Sequence, residues 1–134
     1  MIWAFLLAFV LGLLSKFEKE NLLKLWRNEA PTKAAKMWVQ LHTGDPGANC
    51  TANVAKENKR RQIEVSGIEE EALHNLNAIE WEGVSTTEKV THASVWDAET
   101  EGNPRVYGEL AKAQELIKEQ DARFKIGKLL LLLK

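Results

Sequence analysis

The chain has 134 residues, a length typical of one domain that buries its own apolar core without disulfides or metals. Its 18 basic and 19 acidic side chains give a formal net charge of −1, which lacks the positive excess that attracts nucleic acid, so no nucleic-acid partner is expected. Cys50 is the only cysteine, which excludes an intrachain disulfide and a disulfide-rich secreted scaffold, and fits assembly in a reducing cytoplasm.

Residues 1–14 carry no charged side chain. As a helix this run would span roughly 20 Å, which is shorter than the roughly 30 Å hydrocarbon core of a bilayer. We also find no basic segment before it and no small-residue cleavage site after it, so we expect no cleaved signal peptide. The pattern predicts one helix over residues 1–31, apolar all round at first and amphipathic later, ended by Pro31.

The apolar first half of this predicted helix needs a surface on which to bury itself. One core of this size has little room for it, so we predict contact with another chain or another copy of this one. Burial in the chain's own core and association with a membrane are the disfavoured alternatives. The predicted interface residues at this end are Ile2, Trp3, Phe5, Leu6, Phe9 and Val10.

The first strand is predicted over residues 37–43, because side chains alternate there between two faces. One face carries Met37, Val39 and Leu41, and the other carries Trp38, Gln40 and His42. Residues 44–47 then supply an Asp, a Pro and two Gly, the residue types of a tight turn. This segment therefore predicts a strand followed by a chain reversal.

Further strands are predicted over residues 61–66, 76–84 and 90–97, the last of them as the central strand because it is rich in β-branched and aromatic residues. Residues 68–76 could form a short helix on local propensity, although we favour a loop. A basic cluster precedes the second strand, and we interpret it as a solvated loop or an edge strand. Its members are Lys56, Lys59, Arg60 and Arg61.

The last third of the chain contains conflicting patterns. Residues 109–125 are rich in helix formers, and Leu110, Ala113 and Leu116 have helical spacing, so the local sequence favours a helix. The five consecutive leucines at 129–133 suit a strand buried on both faces. The remaining predicted interface residues are Trp38, Leu131 and Leu133.

Three segments resemble one known family in their amino-acid sequence and in their order along the chain. They are LSKFEKENLLKLWRNEAP (14–31), MWVQLHTGDPGANCTANVA (37–55) and IEWEGVSTTEKVTHASVWDAETEGN (79–103). Together they resemble the short helix, the following strand and LHTGDPG loop, and the paired central strands of small tailed-bacteriophage virion proteins of the tail-fibre or minor tail type. The resemblance is weaker over the last third, where Glu, Lys and Leu replace the family's Gly-rich and Thr-rich strands.

The resemblance implies a mainly β fold in which residues 109–125 are two antiparallel strands joined near residues 119–121. In that arrangement Leu116 and Phe124 lie on strands, and residues 128–134 form the closing strand. We prefer these strands to the local helix pattern, because tertiary context often overrides propensity. The family carries no catalytic residues to transfer to this sequence.

No group of side chains in the sequence predicts catalysis or metal binding. The three histidines are dispersed, and Cys50 lacks a CxxC companion. His92, Ser94 and Asp97 alternate along one predicted strand, without the converging geometry of a catalytic triad. Residues 44–49 lack the lysine and the spacing of a phosphate-binding loop. We therefore expect no enzyme activity, no cofactor and no metal.

The sequence thus predicts an antiparallel, jelly-roll-like β-sandwich over residues 36–134, preceded by an N-terminal helix over residues 1–31. The resemblance implies a non-enzymatic tail-fibre or minor tail protein of the virion, assembled in the host cytoplasm, which binds copies of itself, with a trimer favoured, and other virion proteins. A head decoration or cement protein is one alternative. A module that binds host-surface glycans is another, motivated by the five tryptophans.

Overall fold

A computed structural model describes the backbone of residues 9–132 and the side-chain environments of residues 12–132. The described residues form ten strands and one helix. The strands are β1 (Phe9–Leu11), β2 (Leu13–Leu14), β3 (Met37–His42), β4 (Arg61–Ile63), β5 (Ala72–His74), β6 (Ile79–Trp81), β7 (Glu88–Trp96), β8 (Pro104–Leu116), β9 (Ala122–Phe124) and β10 (Leu129–Leu132), and the helix is α1 (Lys16–Trp26).

The strands form one large and two small sheets. The five-stranded sheet has the order β2-β8-β7-β3-β4, and all its neighbouring strands are antiparallel. The three-stranded sheet has the order β1-β10-β5, with β1 parallel to β10, and the two-stranded sheet pairs β6 with β9. The predicted fold class, mainly β with antiparallel sheets and an N-terminal helix, is confirmed.

The apolar core joins the large sheet to the two small ones. On the large sheet, Val39 lies opposite Val95 and Leu41 lies opposite Ala93, so these four buried side chains share one face, as the alternation predicts. Trp81 of β6 packs edge-to-face on Phe124 of β9, with ring centroids 6.0 Å apart. The remaining members of the cluster include Ile79, Val90, Leu110, Leu116, Leu129 and Leu131.

The predicted helix over residues 1–31 is wrong for residues 9–14, which form β1 and β2. Phe9 lies opposite Leu129 and Leu13 lies opposite Tyr107, so strand pairing satisfies this apolar backbone. The helix begins only after Ser15, whose hydroxyl accepts a hydrogen bond from the Glu18 amide at 3.0 Å. It ends at Trp26, before Pro31. Residues 1–8 lie outside the described residues.

The strands that the resemblance implies in the last third are present, but β8 and β9 lie in different sheets and do not pair with each other as the implied antiparallel pair would. β8 reaches Leu116, β9 contains Phe124, and Glu119 adopts a left-handed φ of 68° in the turn between them. β8 pairs with β7 and β9 pairs with β6, and these long-range pairings override the helical propensity of residues 109–125. β10 covers part of the predicted closing strand.

Two other loops differ in how well they were predicted. The turn after β3 is as expected, because Asp45 Oδ1 accepts from the Gly47 amide at 2.8 Å and Gly47 has a φ of 76°. Residues 68–76, for which we favoured a loop over a helix, contain the strand β5, paired with β10. Within the described part of the chain, no helix has the length and apolarity that crossing a membrane requires.

Candidate functional site

The predicted interface residues do not form one surface in the described structure. Ile2, Trp3, Phe5, Leu6 and Leu133 lie outside the residues whose placement is described. Phe9 and Val10 lie on β1, where their backbone pairs with β10, while Trp38 is half-buried on β3 opposite Trp96. Leu131 is buried in the core of its own chain. An interface role for this set stays a prediction.

Arg105 of β8 joins the helix to the large sheet. Its side chain is 7% exposed, and its Nη1 donates to Glu18 Oε1 at 3.1 Å while its Nη2 donates to Asp97 Oδ2 at 3.0 Å. Nη1 also donates to the Thr32 carbonyl at 3.0 Å. Burial alone would raise the pKa of Asp97, but hydrogen bonds from Asn103 and Arg105 outweigh it and lower that pKa. These contacts form an ionic latch consisting of Arg105, Glu18 and Asp97.

Polar contacts also dock the rest of the helix. Asn21 is its buried residue, and its amide bonds the backbone of Thr32 in both directions, at 2.9 and 2.7 Å. The Ser15 hydroxyl donates to the Pro104 carbonyl at 2.6 Å. The helix is therefore held to the sheet by its polar side, which is the reverse of a helix that packs through an apolar stripe.

The apolar end of the helix consequently faces outward. Trp26 is 86% exposed, Leu23 is half-exposed, and Leu22 is half-buried. Leu22 and Leu23 lie four and three residues before Trp26, so the three side chains are neighbours on one helix face. The exposed Lys19 and Arg27 flank them. We call these five residues the helix patch.

An apolar groove of about 370 Å³ lies beside β5 and β10. Its apolar lining consists of Met37, Ile68, Ala72, Leu73, Val106, Leu131 and Leu132. Glu71 lies at its rim, while Glu18 and Arg105 of the ionic latch also border it. We call this feature the acidic-rimmed groove after Glu71; the exposed Glu69 and Glu70 precede it in the same turn and border a neighbouring pocket.

The turn at that rim has an unusual backbone for its sequence. Glu70 and Glu71 have φ values of 49° and 65°, and the backbones of Glu69 and Ala72 exchange two hydrogen bonds of 2.9 Å. Positive φ at both central residues is typical of a type I′ turn, which favours Asn and Gly. A left-handed backbone costs a glutamate about 1–2 kcal/mol of conformational free energy. Glycine or asparagine would adopt this turn at a lower cost.

A buried Ser–His pair lies on the other face of the large sheet. His42 Nδ1 is 2.9 Å from the Ala52 carbonyl, which can only accept, so Nδ1 carries the proton and Nε2 accepts from Ser94 Oγ at 2.7 Å. Trp96 Nε1 in turn donates to Ser94 Oγ at 2.9 Å. Burial lowers the pKa of His42, which favours this neutral form.

This arrangement gives no accessible nucleophile. Ser94 and His42 are fully buried, and the third partner is a backbone carbonyl rather than a carboxylate. The three residues considered as a triad in the sequence do not meet either. His92 is hydrogen-bonded to Thr91, and Asp97 is hydrogen-bonded to Arg105, so these side chains do not form the hydrogen bonds that a triad with Ser94 would require. Among the described residues, no group of three or more His, Cys, Asp or Glu side chains could hold a metal ion.

Two further polar or reactive groups are locked into the fold. The Arg60 guanidinium lies 3.8 Å from the ring centre of Trp96 and donates to the carbonyls of Ala98 and Glu101, so it is more enclosed than the predicted solvated cluster. Arg61 lies on β4, which is an edge strand as predicted. Cys50 is fully buried, and burial raises the pKa of its thiol to about 12.

The helix patch and the groove are the features that sequence reasoning missed. The sequence pattern predicts that the later part of the helix is amphipathic but does not mark the helix patch as exposed, and nothing marked Ile68 or Glu71 as part of a groove. One signal was present in the sequence: Ser15 followed by Glu18 is the S-x-x-E pattern that starts a helix, and it would have placed the apolar segment before it outside the helix.

The fold and these surfaces define a small, mainly β structural protein with an exposed apolar helix end. Residues 14–131 match the family described as Podophage GP4 fiber I protein gp80, and the chain belongs to that family. It is therefore a bacteriophage fibre-family protein and a component of the virion. No curated protein matches the chain.

Proposed function

We propose that this chain is a non-enzymatic structural subunit of the phage tail fibre that acts by binding copies of itself and other virion proteins. The family match over residues 14–131 carries this proposal. The helix patch supports it, since Trp26 is 86% exposed and an exposed tryptophan beside leucines is typical of an interface hot spot. The full burial of Ser94 and His42 supports a non-enzymatic role.

Copies of the chain assemble symmetrically in the host cytoplasm, with a trimer as the favoured state. The predicted interface residues at the two ends of the chain, including Trp3 and Leu133, would add surface for neighbouring virion proteins. The apolar character of the first 14 residues motivates that role.

The position of the chain in the particle tests this function. A Fab raised against the exposed loop at residues 99–102, which joins β7 to β8, can be labelled with gold and bound to intact particles. We expect label on the tail fibres. Label on the capsid surface would overturn the tail-fibre role in favour of a decoration protein, and particles made without the gene provide the control for nonspecific label.

A further inference from the structure

We propose that copies of this chain bind head to tail, with Trp26 in the helix patch of one copy inserted into the acidic-rimmed groove of the next, and that three such contacts close a ring. The inference rests on the proposed function and deepens it, because it names the partner as a second copy and names the two surfaces that meet.

Shape and polarity make the two surfaces complementary. Trp26 projects from the end of α1 and is 86% exposed in its own chain, so its ring is available to a neighbour. The groove offers about 370 Å³ with a mainly apolar lining, which suits one indole and part of an adjoining leucine side chain. Ile68, at its mouth, is 81% exposed and would be covered by the same contact.

Charge complementarity points to the same pairing. The helix patch contains the exposed bases Lys19 and Arg27, whereas the exposed Glu71 borders the groove, and Glu69 and Glu70 precede it in the same exposed turn. Arg27 pairs with Glu29 at 3.4 Å, but both side chains are at least half-exposed, and such a pair holds its members weakly. Opposed positive and negative patches favour this orientation over others.

The same charges disfavour a contact between two helix patches. A symmetric pairing of that kind would place Lys19 and Arg27 of one copy against the identical bases of the other, and like charges across an interface are unfavourable. Two different surfaces on one chain must instead meet heterologously, which generates a ring where the rotation closes. A trimer is such a ring, so the favoured oligomeric state and the two unlike surfaces agree.

The backbone of the rim supplies independent support. Glu70 and Glu71 keep acidic side chains in a left-handed turn, where Asn or Gly would be easier to accommodate. Strain that persists in a surface turn suggests a role for the side chains that cause it. Contact with the basic helix patch of a second copy is a role that requires negative charge at this place.

Sedimentation velocity of the purified full chain over a range of concentrations tests the proposal. We expect a species of about 45 kDa, three chains of 15.1 kDa each. Trp26→Ala and Ile68→Arg change exposed positions on the two surfaces, so both variants should keep the native circular dichroism spectrum, yet each should weaken self-association roughly thirtyfold or more. Ile126→Ala, at a 63% exposed site outside both surfaces, is the matched control and should remain trimeric.

Mixing the two variants tests the head-to-tail geometry. Trp26→Ala retains an intact groove and Ile68→Arg retains an intact helix patch, so an equimolar mixture should form a 1:1 dimer and nothing larger. A wild-type protein that stays monomeric at every concentration, a Trp26→Ala variant that remains trimeric, or a mixture that stays monomeric would each overturn the proposal.

Charge reversal provides a second test that leaves the apolar contacts unchanged. Lys19→Glu with Arg27→Glu should weaken the assembly, and so should Glu70→Lys with Glu71→Lys. All four changes in one chain should restore it, and failure to restore it would contradict the charge pairing. A wild-type trimer that Trp26→Ala and Ile68→Arg leave intact, with gold label on the fibres, would reject this inference and leave the proposed function standing. Label on the capsid would reject the proposed function itself.

Discussion

His42, Ser94 and Trp96 form a hydrogen-bond chain between β3 and β7 that is buried under the loop following β3. Each donor in it has one acceptor: Trp96 donates to Ser94, Ser94 donates to His42, and His42 donates to the Ala52 carbonyl. A protonated His42 would have two donors and could no longer accept from Ser94. The neutral imidazole is therefore part of the fold, and acid should weaken it.

We expect the free energy of unfolding to fall as the pH decreases from about 7 to about 5. Burial lowers the folded-state pKa of His42 below its ordinary value of 6.5, so the unfolded chain binds a proton more readily in this range. Urea unfolding at several pH values measures the slope. His42→Gln should reduce it, because glutamine carries no titratable proton in this range. An unchanged slope in His42→Gln would contradict the assignment.

Residue roles were harder to predict from the sequence than strand faces. The alternation placed Val39, Leu41, Ala93 and Val95 on one face correctly, because side-chain direction in a strand follows local geometry. The partner of Ser94 could not be read in the same way, since His42 is 52 residues away and meets it only through strand pairing. The dispersed histidines gave no signal of that contact.

The helix α1 is an element held by charge rather than by apolar contact. Arg105 reaches both Glu18 on the helix and Asp97 at the end of β7, and all three side chains are at most 15% exposed. Removing one member of a buried ionic group leaves the others without compensation, which costs more than losing an exposed pair. The orientation of the helix patch therefore depends on this latch.

Arg105→Met should lower the free energy of unfolding by about 3–5 kcal/mol, because Glu18 and Asp97 remain buried without their cation. The substitution should also accelerate hydrogen exchange of the α1 amides, relative to the unsubstituted protein, more than that of the β7 amides. Arg123→Met is the matched control, because its pair with Glu80 at 3.4 Å is about one third exposed and should matter by only about 0–1 kcal/mol. A loss for Arg105→Met no larger than that of the control would show that the latch does not hold the helix.

Element type was predicted best where local and long-range preferences agree. β3 and β7 combine alternation with β-branched or aromatic residues, and both were found. Residues 109–125 have a helical pattern, and only the family resemblance indicated their strands. The composition of the apolar run before Ser15 fits a helix and a strand equally well, and its pairing with β8 and β10 depends on segments roughly a hundred residues later in the chain.

At the scale of the whole molecule, the chain crosses between sheets near its start. β1 adds to β10 of the three-stranded sheet, and β2, one residue later, adds to β8 of the large sheet. The N-terminal segment thus ties together two sheets, and its direct partners β8 and β10 both come from the second half of the chain. The sequence could not indicate this tie, because pairing partners are a property of the complete fold.

The burial of Cys50 depends on the whole fold in the same way. Its thiol lies in the loop after β3, fully buried, with a pKa raised to about 12. In the unfolded chain the pKa returns to about 8.5, so the thiolate fraction at neutral pH rises roughly a thousandfold. We expect a maleimide to leave the native protein unmodified and to modify it in denaturing urea, as measured by mass spectrometry. Rapid modification of the native protein would contradict the burial of this thiol.

This inert thiol makes the natural chain a ready background for site-directed labelling. A cysteine introduced at an exposed position outside the proposed contact surfaces, such as Ile126→Cys, would be the only one to take up a fluorophore or spin probe under native conditions. Distances and local environments could then be followed during fibre assembly without first removing Cys50. Because the loop around Cys50 is tightly packed, fluorescent and spin labels can be placed at chosen positions on the rest of the surface.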